Sequence, residues 1–135
     1  MSICIEDLQR CTLQNPFFQK VGFEVVHLEN EELVLKLSIK REHHNVNSTL
    51  HGGVHASMLD SVQNLVLRAA YNTNVSVMNQ NVQYVTAVSV GDIYAKAKIL
   101  QKGYKVAMIE AEIIDDKQRL MAKGTGVYKI IRATS

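Results

Sequence analysis

The run Asn45-Val46-Asn47-Ser48-Thr49-Leu50-His51-Gly52-Gly53, with Asp60 further on, places polar side chains and two adjacent glycines just before a helix-like apolar pattern. Glycines at a helix entry leave its first N–H groups unblocked by side chains. Those donors, at the positive end of the helix dipole, suit an anion or a developing oxyanion. Asp60 falls about two turns into the helix, roughly 10 Å along the axis from its mouth. A carboxylate near donors that polarise a carbonyl is the minimum set for acyl-group hydrolysis. On spacing alone a plainer reading is the stronger: Asp60 shares its helix face with Ser57, Ser61, Asn64 and Arg68 as a solvated aspartate, and the glycines mark a turn.

The elements that must position these residues follow from periodicity. Apolar residues recur as Val54, Met58, Leu59, Val62, Leu65, Val66, Ala69 and Ala70, which predicts a helix over about 54–71. Upstream, residues 5–13 read as a short helix closed by Asn15-Pro16, and residues 22–29 as an extended Val-rich segment. Glu29–Glu32 form a turn, and Leu33, Leu35, Leu37 and Ile39 alternate with Val34, Lys36, Ser38 and Lys40 as a half-buried strand. The polar loop 41–50 leads into the long helix. Beyond it the period drops to two: an extended stretch over 75–88, then Ile93, Ala95, Ala97 and Ile99, a turn at Gln101-Lys102-Gly103, and Ala107, Ile109, Ala111 and Ile113. Asp115-Asp116-Lys117 turns the chain into a last strand at about 119–131. Tight turns imply antiparallel neighbours, and one long helix suffices to cover the apolar face of a curved sheet. The predicted class is therefore α+β, one domain over residues 1–135, with exposed edge strands that favour an oligomer.

Composition excludes several functions. A net charge of +2 with scattered Lys and Arg is too weak for a nucleic-acid partner, and 6% aromatics with no Trp argue against a base-stacking platform. No apolar run approaches the length of a membrane span, and the N-terminus lacks the pattern of a signal peptide. Cys4 and Cys11 read as reduced, buried thiols, in keeping with a cytoplasmic protein.

Four histidines, His43, His44, His51 and His55, fall close together, but Gly52 and Gly53 make one helical face through them costly, and no zinc motif is present. No metal site is expected. No Ser stands in a nucleophile elbow. Gly124-Thr125-Gly126 lacks a dinucleotide-binding context and marks a bulge or a close backbone approach.

The spacing Asn45, His51-Gly52-Gly53, Asp60 on a loop entering the long helix resembles the hot-dog-fold acyl-CoA thioesterases of the phenylacetyl-CoA thioesterase-like (PaaI-like) group. Asn15-Pro16-Phe17, Val21-Gly22-Phe23, Asn81-Val82-Gln83-Tyr84 and Gly91-Asp92 extend the resemblance along most of the chain. It implies a curved antiparallel sheet wrapped round one central helix, and a homodimer, assembling further to a homotetramer, with the active site at the dimer interface. One subunit would supply Asn45 and the His51-Gly52 loop, and the other Asp60. The Gly52 N–H would stabilise the oxyanion, Asp60 would act as general base or nucleophile, Asn45 would orient the water or thioester, and His51 would lie near the leaving sulfur. Gly53 would line the acyl-CoA substrate. The family often adds a Ser or Thr on the strand after the helix; Val77 takes that place in an ungapped match, and Ser76 does if the register slips by one. Ser48 stands where the family often has Gly. Lys102 and Lys105 are candidates for the CoA phosphates, and no cofactor is required. A ligand-sensing hot-dog domain that binds acyl-CoA without turnover is the alternative, and a hot-dog hydratase is disfavoured because no Asp-and-His pair stands at that family's spacing.

Overall fold

The long helix begins at Gly52, two residues before its apolar pattern does, because His51 supplies the cap that the glycines need. In the computed structural model, which describes residue 10, residues 14–29 and residues 32–132, the helix runs Gly52–Tyr71 and ends at Asn72 in the left-handed conformation (φ 54°). We label it α2. Before it stand α1 (Pro16–Val21), β1 (Glu24–Glu29), β2 (Glu32–Ser38) and a short 3-10 turn at Arg41–His43; after it come β3 (Val75–Tyr84), β4 (Asp92–Lys102), β5 (Val106–Asp115) and β6 (Leu120–Ile130). Cys4, Cys11 and most of the helix expected at 5–13 lie outside the described residues.

Pro16 does more than interrupt helix: it opens α1 at a position where a missing N–H costs nothing. Asn15 caps α1, its Oδ1 accepting from the Phe18 N–H at 3.1 Å. The first strand starts two residues later than expected, because Gly22 (φ 97°) closes α1 before the chain extends.

The six strands form one antiparallel sheet in the order β1-β2-β4-β5-β6-β3, with α2 packed against β2 to β6. Alternation predicted the inward faces well: Leu33, Leu35 and Leu37 of β2, Ile93 and Ala95 of β4, and Ala107, Ile109, Ala111 and Ile113 of β5 are all buried against Met58, Leu59 and Val62 of α2. Burying these side chains supplies the main driving force for the layer packing. β3 is shorter than its extended pattern: the chain leaves the sheet after Tyr84, and Val85 and Thr86 hydrogen-bond to the Met121 carbonyl as a loop. β3 also carries a bulge between Val77 and Asn79, and its far edge has no strand partner among the described residues. None of the described helices is long and apolar enough to cross a membrane.

The β5–β6 turn is organised by Asp115. Its carboxylate accepts from the Lys117 N–H (3.0 Å) and the Arg119 N–H (2.8 Å) and pairs with Arg119 Nε (2.7 Å), which accommodates Gln118 at φ 66°. Burial pushes the Asp115 carboxyl up, but the hydrogen bonds and charge of Arg119, with the Lys117 backbone N–H, outweigh it and hold it below the usual carboxylate range. A depressed folded-state value stabilises the fold above the unfolded-state value and is lost as pH falls through the folded one. Asp115→Asn should therefore unfold a few degrees below the wild type at pH 7, and thermal melts should converge in acid, below the ordinary aspartate range.

Candidate active site

Asn45 is the organiser of the loop that delivers His51. Its Oδ1 accepts from the backbone N–H groups of Asn47 (2.9 Å) and Thr49 (3.1 Å), and its Nδ2 donates to Thr49 Oγ1 (3.0 Å). The loop forces Ser48 to φ 61°, which explains why glycine suits that position. His44 ties the loop to the sheet through Nε2 and the Ser89 carbonyl (2.7 Å). His43 is buried, its Nδ1 accepting from the Lys40 N–H (2.9 Å) and its Nε2 donating to the Val21 carbonyl (2.7 Å). These two histidines are structural clamps with both ring nitrogens or the outward nitrogen already engaged.

His51 is the N-cap of α2. Its Nδ1 accepts from the Gly53 N–H at 2.8 Å, so the neutral ring carries its proton on Nε2, which faces outward from the exposed side chain. The Gly53 N–H is thus engaged within the chain. The Gly52 N–H has no acceptor among the described residues. Tyr84 lies over the mouth: its hydroxyl donates to the Gly52 carbonyl (3.0 Å), and a Cβ at Gly52 would stand 3.3 Å from its ring. The buried His55 ring meets the Tyr84 ring edge-on at 5.6 Å, and burial lowers its pKa, favouring the neutral form.

Asp60 sits eight residues past Gly52, about 12 Å along the helix axis. It opens onto a cleft of about 430 Å³ between α1 and α2, lined also by Asn15, Phe17, Ser61, Asn64 and Arg68. Its Oδ1 accepts from the Tyr128 hydroxyl at 2.5 Å. Tyr128 comes from near the C-terminal end of β6 and is wholly buried. It was not among the residues singled out from the sequence, because an aromatic at an inward strand position reads as core. The Gly124-Thr125-Gly126 segment is what lets it approach: β6 passes close under α2, and a Cβ at Gly126 would stand 2.7 Å from Tyr128 Cε1, Gln63 Oε1 and Gln80 Oε1. The close-approach reading of that motif is the one the structure supports.

Two groups of expected residues do not join this site within one chain. Ser76 pairs with Lys129 on the outer face of the sheet, whereas Val77 pairs with Tyr128 on the face toward α2. Antiparallel partners share a face, so Val77 lies on the Tyr128 side of the sheet and Ser76 on the other, with Val77 still exposed at the sheet edge. Lys102 donates to the Ala70 carbonyl (3.4 Å) and lies 5.2 Å over the Tyr71 ring, at the far end of α2 and roughly 27 Å along its axis from Gly52. Lys105 sits beside it, its carbonyl accepting from the Ile130 N–H (2.9 Å). Both lysines are therefore remote from His51 and Gly52 of the same chain.

Residues 8–129 match the family model described as a domain of unknown function, DUF4442. "Acyl-coenzyme A thioesterase 13" of Mus musculus is 25% identical over 125 residues, which cover 89% of this chain and 89% of that protein. A thioesterase structure from Haemophilus influenzae superposes with a TM-score of 0.91 at 15% identity, covering 100% of this chain and 95% of the other. The PaaI protein of the phenylacetic acid degradation operon of Escherichia coli does so with a TM-score of 0.87 at 14% identity, covering 96% and 94%.

Proposed function

From a chain that belongs to the DUF4442 family and has the hot-dog fold of the PaaI-like thioesterase superfamily, we propose an acyl-CoA thioesterase that completes its active site from two subunits. The observation that carries this reading lies on one helix: a Gly52 N–H left unpaired at the mouth that His51 caps, and an Asp60 carboxylate held at the floor of a cleft two turns on. At about 12 Å of axial separation the two cannot serve one carbonyl within a chain. The open edge of β3, with Val77 and Met78 exposed, offers a second copy an edge to pair with, which would bring its Asp60 to the first copy's helix mouth.

In that assembly the Gly52 N–H receives the thioester oxygen and stabilises the charge that develops on it. Asp60 of the other subunit takes a proton from water as it attacks, or attacks the carbonyl itself to give an anhydride that water then opens. Either way the C–S bond breaks, the CoA thiolate leaves and is protonated, and the acid is released. His51, with its outward Nε2–H, is the donor beside the leaving sulfur, and Asn45 keeps the loop that carries it in register. Lys102 and Lys105 could hold the CoA phosphates only if supplied from another subunit.

Thiol release from short, medium, long and arylacetyl-CoA tests the reaction; acyl-CoA binding without turnover of any member would replace the enzyme by a ligand-sensing domain. Subunit mixing tests the shared site. His51→Asn keeps an N-cap acceptor but removes the imidazole, and Asp60→Asn removes the carboxylate. Each alone is expected to be inactive. Dissociated and reassociated together, they should recover about a quarter of wild-type turnover, since half the dimers are mixed and each mixed dimer has one intact site. No recovery from verified mixed dimers would refute the two-subunit site.

A further inference from the structure

We infer that Tyr128 is a positioning residue for the reaction, holding the Asp60 carboxylate in one orientation through a single buried hydrogen bond from β6. The inference rests on the reading of Asp60 as the reacting carboxylate. The Tyr128 hydroxyl has one proton and three oxygens around it: Asp60 Oδ1 at 2.5 Å, Gln63 Oε1 at 3.1 Å and the Asp60 carbonyl at 3.2 Å. Gln63 is fully buried and its Nε2 points to the Gly124 carbonyl at 3.5 Å, which turns its Oε1 toward Tyr128 as a competing acceptor. The carboxylate is both nearest and charged, so it takes the proton.

The geometry suits this task in three ways. The phenol is locked by burial under α2, so it loses little further entropy in holding Asp60. Burial, and then the bond and charge of Asp60, push its own ionisation far above neutral pH, so it remains a donor throughout the working range. It occupies Oδ1 alone, and among the described residues no side chain bonds the other oxygen, which remains for water or substrate. Of the charged or titratable groups near Asp60, Tyr128 comes from β6 and Arg68 from α2 itself, its guanidinium bonded to Asn74. The α1 residues on the cleft (Asn15, Phe17 and Phe18) do not titrate, and β3 contributes the neutral Gln80.

The test compares steady-state kinetics for the wild type, Tyr128→Phe, Gln63→Met and Asp60→Asn, on whichever acyl-CoA the wild type turns over. Tyr128→Phe frees the carboxylate to turn, and should lower kcat about ten- to a hundredfold with KM within about twofold. Gln63→Met removes the competing acceptor, commits the phenol to Asp60, and should hold kcat at or above the wild-type value. It also carries the test if Tyr128→Phe fails to fold. An unchanged kcat in folded Tyr128→Phe, or a fall in kcat in folded Gln63→Met, with Asp60→Asn inactive, would overturn the role of Tyr128 alone. An active Asp60→Asn would instead overturn the assignment of Asp60, and this inference with it.

Discussion

Asp60→Asn is expected to melt close to the wild type and to release thiol from acyl-CoA about 10²- to 10⁴-fold more slowly. Asparagine has the shape of aspartate, and its amide oxygen still accepts the Tyr128 proton that Asp60 Oδ1 accepts now at 2.5 Å. The fold therefore loses little. The reaction loses the only group on this helix face able to take a proton from water or to attack a carbonyl, since Ser57, Ser61 and Asn64 on the same cleft have no adjacent base. Turnover within about threefold of wild type, in protein whose melting is unchanged, would remove Asp60 from the mechanism.

The second large effect is on stability. Gly126→Ala should lower stability by about 2–3 kcal/mol, a fall in melting temperature of roughly 7–10 °C for a chain of this length. The added methyl would stand 2.7 Å from the Tyr128 ring and from two glutamine oxygens. The glutamine ends can rotate, though Gln63 is buried and the Gln80 amide, also enclosed, already lacks a partner. The Tyr128 ring cannot rotate away without leaving Asp60. The same substitution should thus slow turnover more than a remote mutation of equal destabilisation. A melting temperature within a degree of wild type would mean that β6 and α2 do not approach as closely as this.

The two predictions meet at one contact, and it shows where sequence reading stops. The long helix was legible because Met58, Leu59, Val62, Leu65 and Val66 repeat at helical spacing, and the inward faces of β2, β4 and β5 because they alternate. Its start was misplaced by two residues, since a glycine pair reads as a break unless the cap that precedes it is recognised; the His51 ring acts as that cap. The short helix at Pro16–Val21 escaped notice because six residues hold too little periodicity to see. The choice between Ser76 and Val77 stays open in the sequence for a related reason: the bulge between Val77 and Asn79 changes which residues share a face, and a bulge leaves no mark in a two-residue alternation.

Local spacing by itself determined the long helix, the strands and the His51-Gly52 mouth of this protein, because helix and strand periods act over a few residues. It also marked Asp60, though spacing alone could not tell a reacting carboxylate from a solvated one. Only the tertiary structure decided what holds that carboxylate. Tyr128 lies 68 positions away along the chain, and it reaches Asp60 because β6 crosses beneath α2 at Gly126. Contacts of that range are set by how sheet and helix pack, and no short-range pattern of residues encodes them.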